Sequence, residues 1–508
     1  MTAFKHPGRR EALAGLLLFT AARAANAQGA DAPAGKTLTI AVGSDANTFD
    51  PHNTATINAD LSVLSHVYTS LVQRDANLKL QPALATSWQA VDPRTWRFTL
   101  RGGVTFANGE ALDAAAVKAN FERVRDPKVN ARLRPWFELV TSENVISPTE
   151  LEVVTSAPYP ALPDQLSMFF MLPPKWLTSA NPATTTMPSG PYEITGFRRG
   201  DRLTLTARAG YAGEKPAFDT VVFRTIPEIS SRIAALLAGE VDLITGIPPS
   251  ELARIAASGR AESGSVDSIR SFFVKFNNLA PPFKDNAKLR LALNYAVDKQ
   301  GIVDSLLGGL GKVSSCQILT PDYYGFNPDL KPIPYDPDRA RALLREAGVT
   351  TPLTVDFDVP NGVYLLSEEI TQTVAAQLAD VGVTANIHEM DFGTFMNKYL
   401  RSHTMAPMAY LSLAWPTLDA DGLLSFLESG NIYAYWDDAE FTQLLRDSRQ
   451  ATDAETRKNL LQRAAARACE QAPILFLFTQ PATYGVSRRV MWHARGDDWV
   501  RAADFTPR

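Results

Sequence analysis

The stretch Thr95–Arg123 reads "TWRFTLRGGVTFANGEALDAAAVKANFER". Trp96, Phe98 and Leu100 alternate with polar neighbours, the period of a half-buried strand. Gly102-Gly103 and Asn108-Gly109 supply positions that accept positive φ, so the first half is expected to form a hairpin. Asp113 then stands where a helix cap is wanted, and Val117, Phe121 and Val124 fall on one helical face. A strand-to-helix unit of this kind points to a mixed α/β chain.

The same layout recurs in both directions. Upstream, "KTLTIAV" reads as a buried strand and "GSDANTFDPH" as a turn-rich loop. Downstream, "EISSRIAALLAGEVDLI" gives a helix with Ile229, Ile233, Leu236 and Leu237 on one face. Gly239 is its stop, and the strand "VDLI" follows. "YDPDRARALLREAGV" has Asp336 as cap, Pro337 in the first turn and Gly348 as stop. "SEEITQTVAAQLADVGVTANIHEM" repeats helix, glycine and strand. Two more helices and the apolar strand "APILFLF" close the C-terminal part. The fold class is therefore α/β with mixed sheets. No fixed-period repeat or low-complexity linker marks a boundary, so the domains are expected to exchange strands.

The 508 residues suffice for two or three domains. Hydrophobic residues make up 45% and charged residues 20%, the proportions of a globular chain. The formal net charge of −4 and the lack of a basic run argue against a nucleic-acid partner. The N-terminus reads as an export signal over residues 1–27. Lys5, Arg9 and Arg10 precede an apolar run from Ala12 to Ala22, and Ala25-Asn26-Ala27 gives the small-x-small cleavage pattern. The run is too short for a permanent membrane span. Arg9-Arg10 leaves general and twin-arginine export both open. Cleavage would remove four cations and one anion, taking the net charge from −4 to −7. No cysteine directly follows the cleavage point, so no lipid anchor is expected. Cys316 and Cys469 can pair in an oxidising compartment or stay two buried thiols.

Catalytic patterns are missing from the sequence. There is no G-x-S-x-G elbow, "HEMDF" lacks the second histidine of a zinc-protease helix, and "GGLGKV" fails the phosphate-loop spacing. None of the six histidines lies four residues from another, so no metal site is assigned, and no cofactor is expected. The loop "LAWPTLDADGLLSFL", Leu413–Leu427, carries Asp419 and Asp421 two residues apart. Their side chains should diverge, whereas acid/base pairs face each other across a substrate. A cation anchor and solvated loop charges both stay open.

Five ordered segments, taken together, resemble the extracellular solute-binding proteins of family 5, which serve ABC importers of oligopeptides, dipeptides and nickel. They are "PALATSWQAVDPRTWRFTLRGGVTFANGEALDAAAVKANFER", "PSGPYEITGF", "RIAALLAGEVDLI", "FNNLAPPFKDNAKLRLALNYAVDKQGIV" and "YDPDRARALLREAG". The chain departs from the family pattern at Ala107-Asn108, where many members have His-Asp. Ala115-Ala116 replaces a usual Glu-Asp, and Asp419-Ala420-Asp421 stands where many peptide binders carry D-P-D.

The resemblance implies a type II-like periplasmic binding protein, two lobes closing on a ligand, with an extra inserted domain. Domain I would comprise 36–57, 188–262 and 481–508, domain II 58–187, and domain III 263–480. Chain crossings near Ser271 and Phe478 would form the hinge. The implied function is a periplasmic, monomeric, non-enzymatic binder of di- or oligopeptides that delivers them to an inner-membrane ABC permease with its ATPase subunits. A nickel complex, glutathione, an opine, haem or an oligosaccharide are alternative ligands, and a secreted hydrolase using Asp419 and Asp421 is a third reading. By position, Asp419 would receive a peptide ammonium with Trp415 beside the ligand backbone. Asn47, Thr48 and Phe49 would line the cleft from the first loop. Tyr433 and Tyr435 share one side if their run is extended, and either stacks on ligand or packs in the core. Asn277 and Asn278 would bond the ligand or hold the hinge.

Overall fold

The computed structural model describes residues 36–54 and 57–508; the expected signal segment, 1–27, lies outside the described residues. Residues 36–508 form one compact unit. Its frame is two mixed sheets and one antiparallel sheet.

The first sheet has seven strands in the order Ala261–Val266, Ala482–Ser487, Leu243–Thr245, Thr37–Val42, Thr220–Thr225, Arg202–Ala207 and Tyr192–Arg198. Thr37–Val42 lies at its centre, parallel to both neighbours. The second sheet has six strands in the order Lys312–Val313, Ile474–Thr479, Ser271–Phe276, Met408–Leu413, Leu353–Pro360 and Val383–Met390. All six residues of the strand "SFFVKF" are buried, as a central strand covered on both faces requires. The third sheet has four antiparallel strands, Ala85–Asp92, Thr95–Leu100, Glu150–Thr155 and Val140–Ser147. Each sheet packs on helices around its own core. In the third, Val117, Phe121 and Val124 of the helix Ala114–Arg125 are fully buried with Phe98 and Leu100.

Local chemistry explains most element ends. Asp113 accepts the Ala116 amide at 3.0 Å and Asp336 accepts that of Arg339 at 2.8 Å, so both act as helix caps. Gly239 closes its helix at φ 78°, in the left-handed region. The hairpin expected over Thr95–Leu112 is not a full one. Thr95–Leu100 pairs on one side with Ala85–Asp92 and on the other with Glu150–Thr155. Both of its edges are therefore taken, and only an isolated bridge, Thr105 to Ala111, spans the Asn108-Gly109 turn.

The two large sheets are joined by two chain crossings. Ala261–Val266 passes into Ser271–Phe276, and Ile474–Thr479 passes back into Ala482–Ser487. The two crossing chains pair with each other in both sheets: Ala261–Val266 with Ala482–Ser487, and Ser271–Phe276 with Ile474–Thr479. The region holding the third sheet is connected differently. It leaves the first sheet after Thr37–Val42 and returns to it at Tyr192–Arg198. Its covalent links are thus with the first sheet alone, and its contacts with the second sheet's lobe are non-covalent. No helix among the described residues is long and apolar enough to cross a membrane.

Candidate ligand-binding site

Three segments carry the candidate positions. The first sheet supplies the loop after its central strand, residues 43–54. The second supplies residues 414–421, which follow Met408–Leu413. The inserted region supplies the turn around Arg134–Phe137. The indole of Trp415 stands edge-on to that of Trp136, ring centres 5.1 Å apart and planes at 81°. Trp415 also meets Phe426 at 5.6 Å, and Phe426 meets Tyr433 at 4.6 Å. Edge-to-face rings at such distances attract beyond their buried area. An aromatic wall therefore runs from the inserted region into the second lobe.

The loop 414–421 is built to hold one shape. The Trp415 amide donates to the Tyr323 hydroxyl at 2.8 Å. Backbone bonds from Tyr324 to Leu418, 2.8 Å, and from Ala420 to Tyr324, 2.9 Å, stitch it to a neighbouring strand-like segment. Leu418 is held at φ 54°, a conformation that costs energy for a residue with a Cβ. Gly422 lies so close beneath Trp415 that a Cβ there would come within 2.4 Å of the indole Cδ1.

The two acids of this loop are both engaged within the second lobe. Asp419 is 5% exposed, and Arg457 grips both of its oxygens, at 2.7 and 2.8 Å. The same carboxylate caps the helix Ala420–Leu424 by accepting the Asp421 amide at 3.0 Å. Arg457 also stacks on Tyr324, 5.0 Å from the ring centre. Burial lowers the affinity of the Arg457 guanidinium for its proton, but Asp419 more than offsets that and holds it above the ordinary range. Asp421 pairs with Arg449, which also forms two bonds to Glu428. A ligand ammonium at Asp419 would have to compete with an existing bidentate pair.

The other expected positions divide. Asn47 is exposed on the first loop, its amide donating to Asp60 at 2.8 Å. Thr48 is half-buried and its hydroxyl accepts the Asp50 amide at 3.1 Å. Phe49 turns inward, packing on Phe197 at 5.3 Å in the first core. Asp50 accepts the His52 amide at 3.0 Å and is held by two bonds from Arg123. Residues 431–434 form a turn that breaks the extended run, so Tyr433 and Tyr435 do not share a side. Tyr433 is half-buried against Phe426. Tyr435 is 1% exposed, stacked between Tyr399 and His403, with its hydroxyl on the Tyr399 carbonyl. For Tyr435 the structure shows the core alternative. Asn277 and Asn278 lie at the end of Ser271–Phe276 remote from the crossing. The Asn278 side chain donates to the carbonyls of Phe276 and Pro473, both at 3.0 Å, and that of Asn277 to Met405 at 3.4 Å. Cys316 and Cys469 form a disulfide, Cα atoms 5.2 Å apart.

Several site residues gave no sequence signal. Trp136 sits in a short 3₁₀ turn with no periodicity to flag it. Lys275 is buried without a carboxylate and donates to the Tyr433 carbonyl at 2.5 Å, the Phe426 carbonyl at 3.1 Å and the Tyr399 hydroxyl at 3.0 Å. Burial pushes its ammonium down to about 7. It braces the backbone behind Phe426 and Tyr433. Arg74, from the inserted region, reaches the carbonyls of Pro416 and Thr417. Two cavities of about 620 Å³ each flank this point, one between the inserted region and the first sheet, the other between the inserted region and the second lobe. No cluster of histidine, cysteine and acidic side chains suited to a metal occurs among the described residues.

The comparisons with known proteins agree with this architecture. The family model for bacterial extracellular solute-binding proteins, family 5, matches residues 79–449. The glutathione-binding protein GsiB of Salmonella paratyphi A is 28% identical over 366 residues, 71% of this chain and 70% of that protein. Among solved structures, the periplasmic binding protein DppA of Helicobacter pylori, in complex with the peptide STSA, superposes with a TM-score of 0.83. It is 22% identical, with 93% of this chain and 98% of that one covered. NikZ of Campylobacter jejuni, in complex with Ni(L-His), gives 0.82 at 23% identity, covering 92% and 99%. Its periplasmic-binding-protein fold, with two lobes joined by paired crossings, and the match over residues 79–449 place the chain in family 5 of the bacterial extracellular solute-binding proteins, the solute-capturing components of ABC importers.

Proposed function

We propose that this protein captures a small peptide-type solute between its two lobes in the periplasm and delivers it to an inner-membrane ABC permease with its ATPase subunits. The division into 36–57 with 188–262 and 481–508, 58–187, and 263–480 is the three-domain reading we adopt. The observation that carries the ligand class is the aromatic wall Trp136–Trp415–Phe426–Tyr433. Flat rings suit an extended backbone lying across them, and wet polar positions tolerate varied side chains. The similarity to a glutathione-binding protein supports a short peptide. In this reading Trp415 and Tyr433 touch the ligand, while Asp419 and Arg457 fix the loop that presents Trp415.

Closure follows from contacts that both lobes make at once. A ligand shifts the open–closed equilibrium only by the difference in its affinity for the two states. Trp136 and Trp415 come from opposite sides, so a ligand lying across the pair touches both rings in the closed state alone. The test is native mass spectrometry of protein exported to, and purified from, the periplasm of a Gram-negative host. The expected result is a co-purifying di- to tetrapeptide on a chain cleaved after Ala27. A bound sugar or metal chelate without peptide would overturn the ligand class, and an uncleaved chain the export route.

A further inference from the structure

The inserted region touches the second lobe without any covalent link to it, and beside the Trp136–Trp415 contact one side chain hydrogen-bonds across that boundary. Arg74 closes the strand Val72–Arg74 and is 8% exposed. Its Nε donates to the Pro416 carbonyl at 2.6 Å, and one terminal nitrogen donates to the Thr417 carbonyl. The same nitrogen pairs with Asp164 at 2.5 Å, and the other donates to the Leu78 carbonyl at 2.7 Å. Asp164 and Leu78 belong to the inserted region, so they aim the guanidinium. Pro416 and Thr417 belong to the second lobe and directly follow Trp415.

The backbone behind Arg74 is fixed too. Its own carbonyl accepts from Arg501 at 2.8 Å and Arg495 at 3.5 Å, and Arg501 also holds the Gln73 side chain at 3.1 Å. Both arginines lie in the C-terminal segment that packs on the first sheet's core. A continuous path therefore runs from the first lobe, through a pre-aimed guanidinium, to the loop that carries the ligand-facing indole. From the second lobe, Arg457 and Arg449 hold the same loop by its acids.

We propose that Arg74 is the positioning residue that latches the closed state: it binds the Pro416 and Thr417 carbonyls only when the lobes are shut, and so retains the solute without touching it. An arginine suits this task because its planar fork serves two carbonyls and a carboxylate together, which a lysine ammonium cannot match in geometry. On opening, the two carbonyls return to water and Arg74 keeps Asp164 and Leu78, so the open state carries no orphaned charge. The latch rests on the cleft being the solute site, yet its test needs no solute.

The test places spin labels on Val145→Cys in the inserted region and Tyr335→Cys in the second lobe, both exposed positions, with the native cysteines disulfide-bonded. Pulsed dipolar spectroscopy then reads the interlobe distance distribution of the ligand-free protein. Arg74→Met is expected to lower the closed-to-open ratio about tenfold, the weight of one charge-assisted hydrogen bond. Arg74→Lys should fall between the two. Thermal unfolding of each variant separates a shifted equilibrium from a failed fold. Arg74→Met and Arg74→Lys distributions that both superpose on the parent's would overturn the latch. A shifted distribution with a sugar or metal chelate, and no peptide, on the periplasmic protein would leave the latch standing and fell the ligand class alone.

Discussion

Replacing Arg457 by methionine tests whether Asp419 is a structural anion. The pair is buried on both sides, with Arg457 4% and Asp419 5% exposed. Arg457→Met removes two charge-assisted bonds, at 2.7 and 2.8 Å, and leaves the carboxylate with the Asp421 amide as a remaining donor. It also removes the stacking on Tyr324, about 1 kcal/mol. An uncompensated buried charge costs about 3–5 kcal/mol. Urea unfolding of the variant should therefore show a loss of about 4 kcal/mol with an unchanged slope. Asp419→Asn should lose several kcal/mol as well, because it strands the guanidinium while keeping the cap. The double variant should cost little more than the worse single one, a coupling of at least about 2 kcal/mol. A loss below about 1 kcal/mol for Arg457→Met, or strictly additive losses, would show that Asp419 is not a structural anion. A direct ammonium-anchor role for Asp419 gives the opposite pattern: weaker peptide binding in Asp419→Asn with stability intact.

Acid should weaken the fold through two buried neutral histidines. His66 donates from Nδ1 to the Ser62 carbonyl at 2.8 Å and accepts the Ala502 amide on Nε2 at 2.8 Å, so neither nitrogen can take a further proton without breaking a bond. Burial lowers its pKa from 6.5 to about 4. The unfolded chain binds protons first as pH falls from 6.5 towards 4, so stability is complete above 6.5 and declines across that window, by roughly 3 kcal/mol for His66. His52, lowered by burial and by Arg123, acts in the same direction. Calorimetry from pH 7.5 to 4.5 should show the decline, and His66→Gln should flatten it; an equally steep decline in His66→Gln would contradict this account. The disulfide closes a loop spanning 153 positions, for which chain entropy gives about 5 kcal/mol at most. Cys316→Ser with Cys469→Ser should lower the urea midpoint by a corresponding amount, and an unchanged midpoint would show that the pairing adds nothing.

Periodicity and capping made the elements legible. Asp113, Asp336, Gly239 and Gly348 all end helices where their chemistry predicts, because such ends are decided within one turn. The partners that build the site lie far apart in sequence. Arg457 is 38 positions from Asp419, Arg74 is 342 from Pro416, and Trp136 meets Trp415 only in the folded chain. Nothing in a local window distinguishes an aspartate paired with an arginine from one open to a ligand, so the residues around Asp419 left cation anchor and solvated charge both open, and the family resemblance alone pointed to the anchor. Tyr435 shows the same limit. Its alternation with Tyr433 suggested a shared face, but Ala434 bonds back to Asn431 and turns the run, so one ring goes to the core and the other stays half-buried.

The paired crossings have a mechanical consequence. Two separate tethers at opposite edges of an interface would clamp it; two strands hydrogen-bonded side by side on both flanks behave as a single axle. Shear and twist about such an axle would tear ladder bonds in both sheets, whereas bending across it falls on the short segments 267–270 and 480–481, which lie outside the ladders. The lobes are thereby left one soft coordinate. Every distance across the mouth, from Trp136–Trp415 to Arg74–Pro416, is a reading of the same angle, so aromatic wall and latch must engage together.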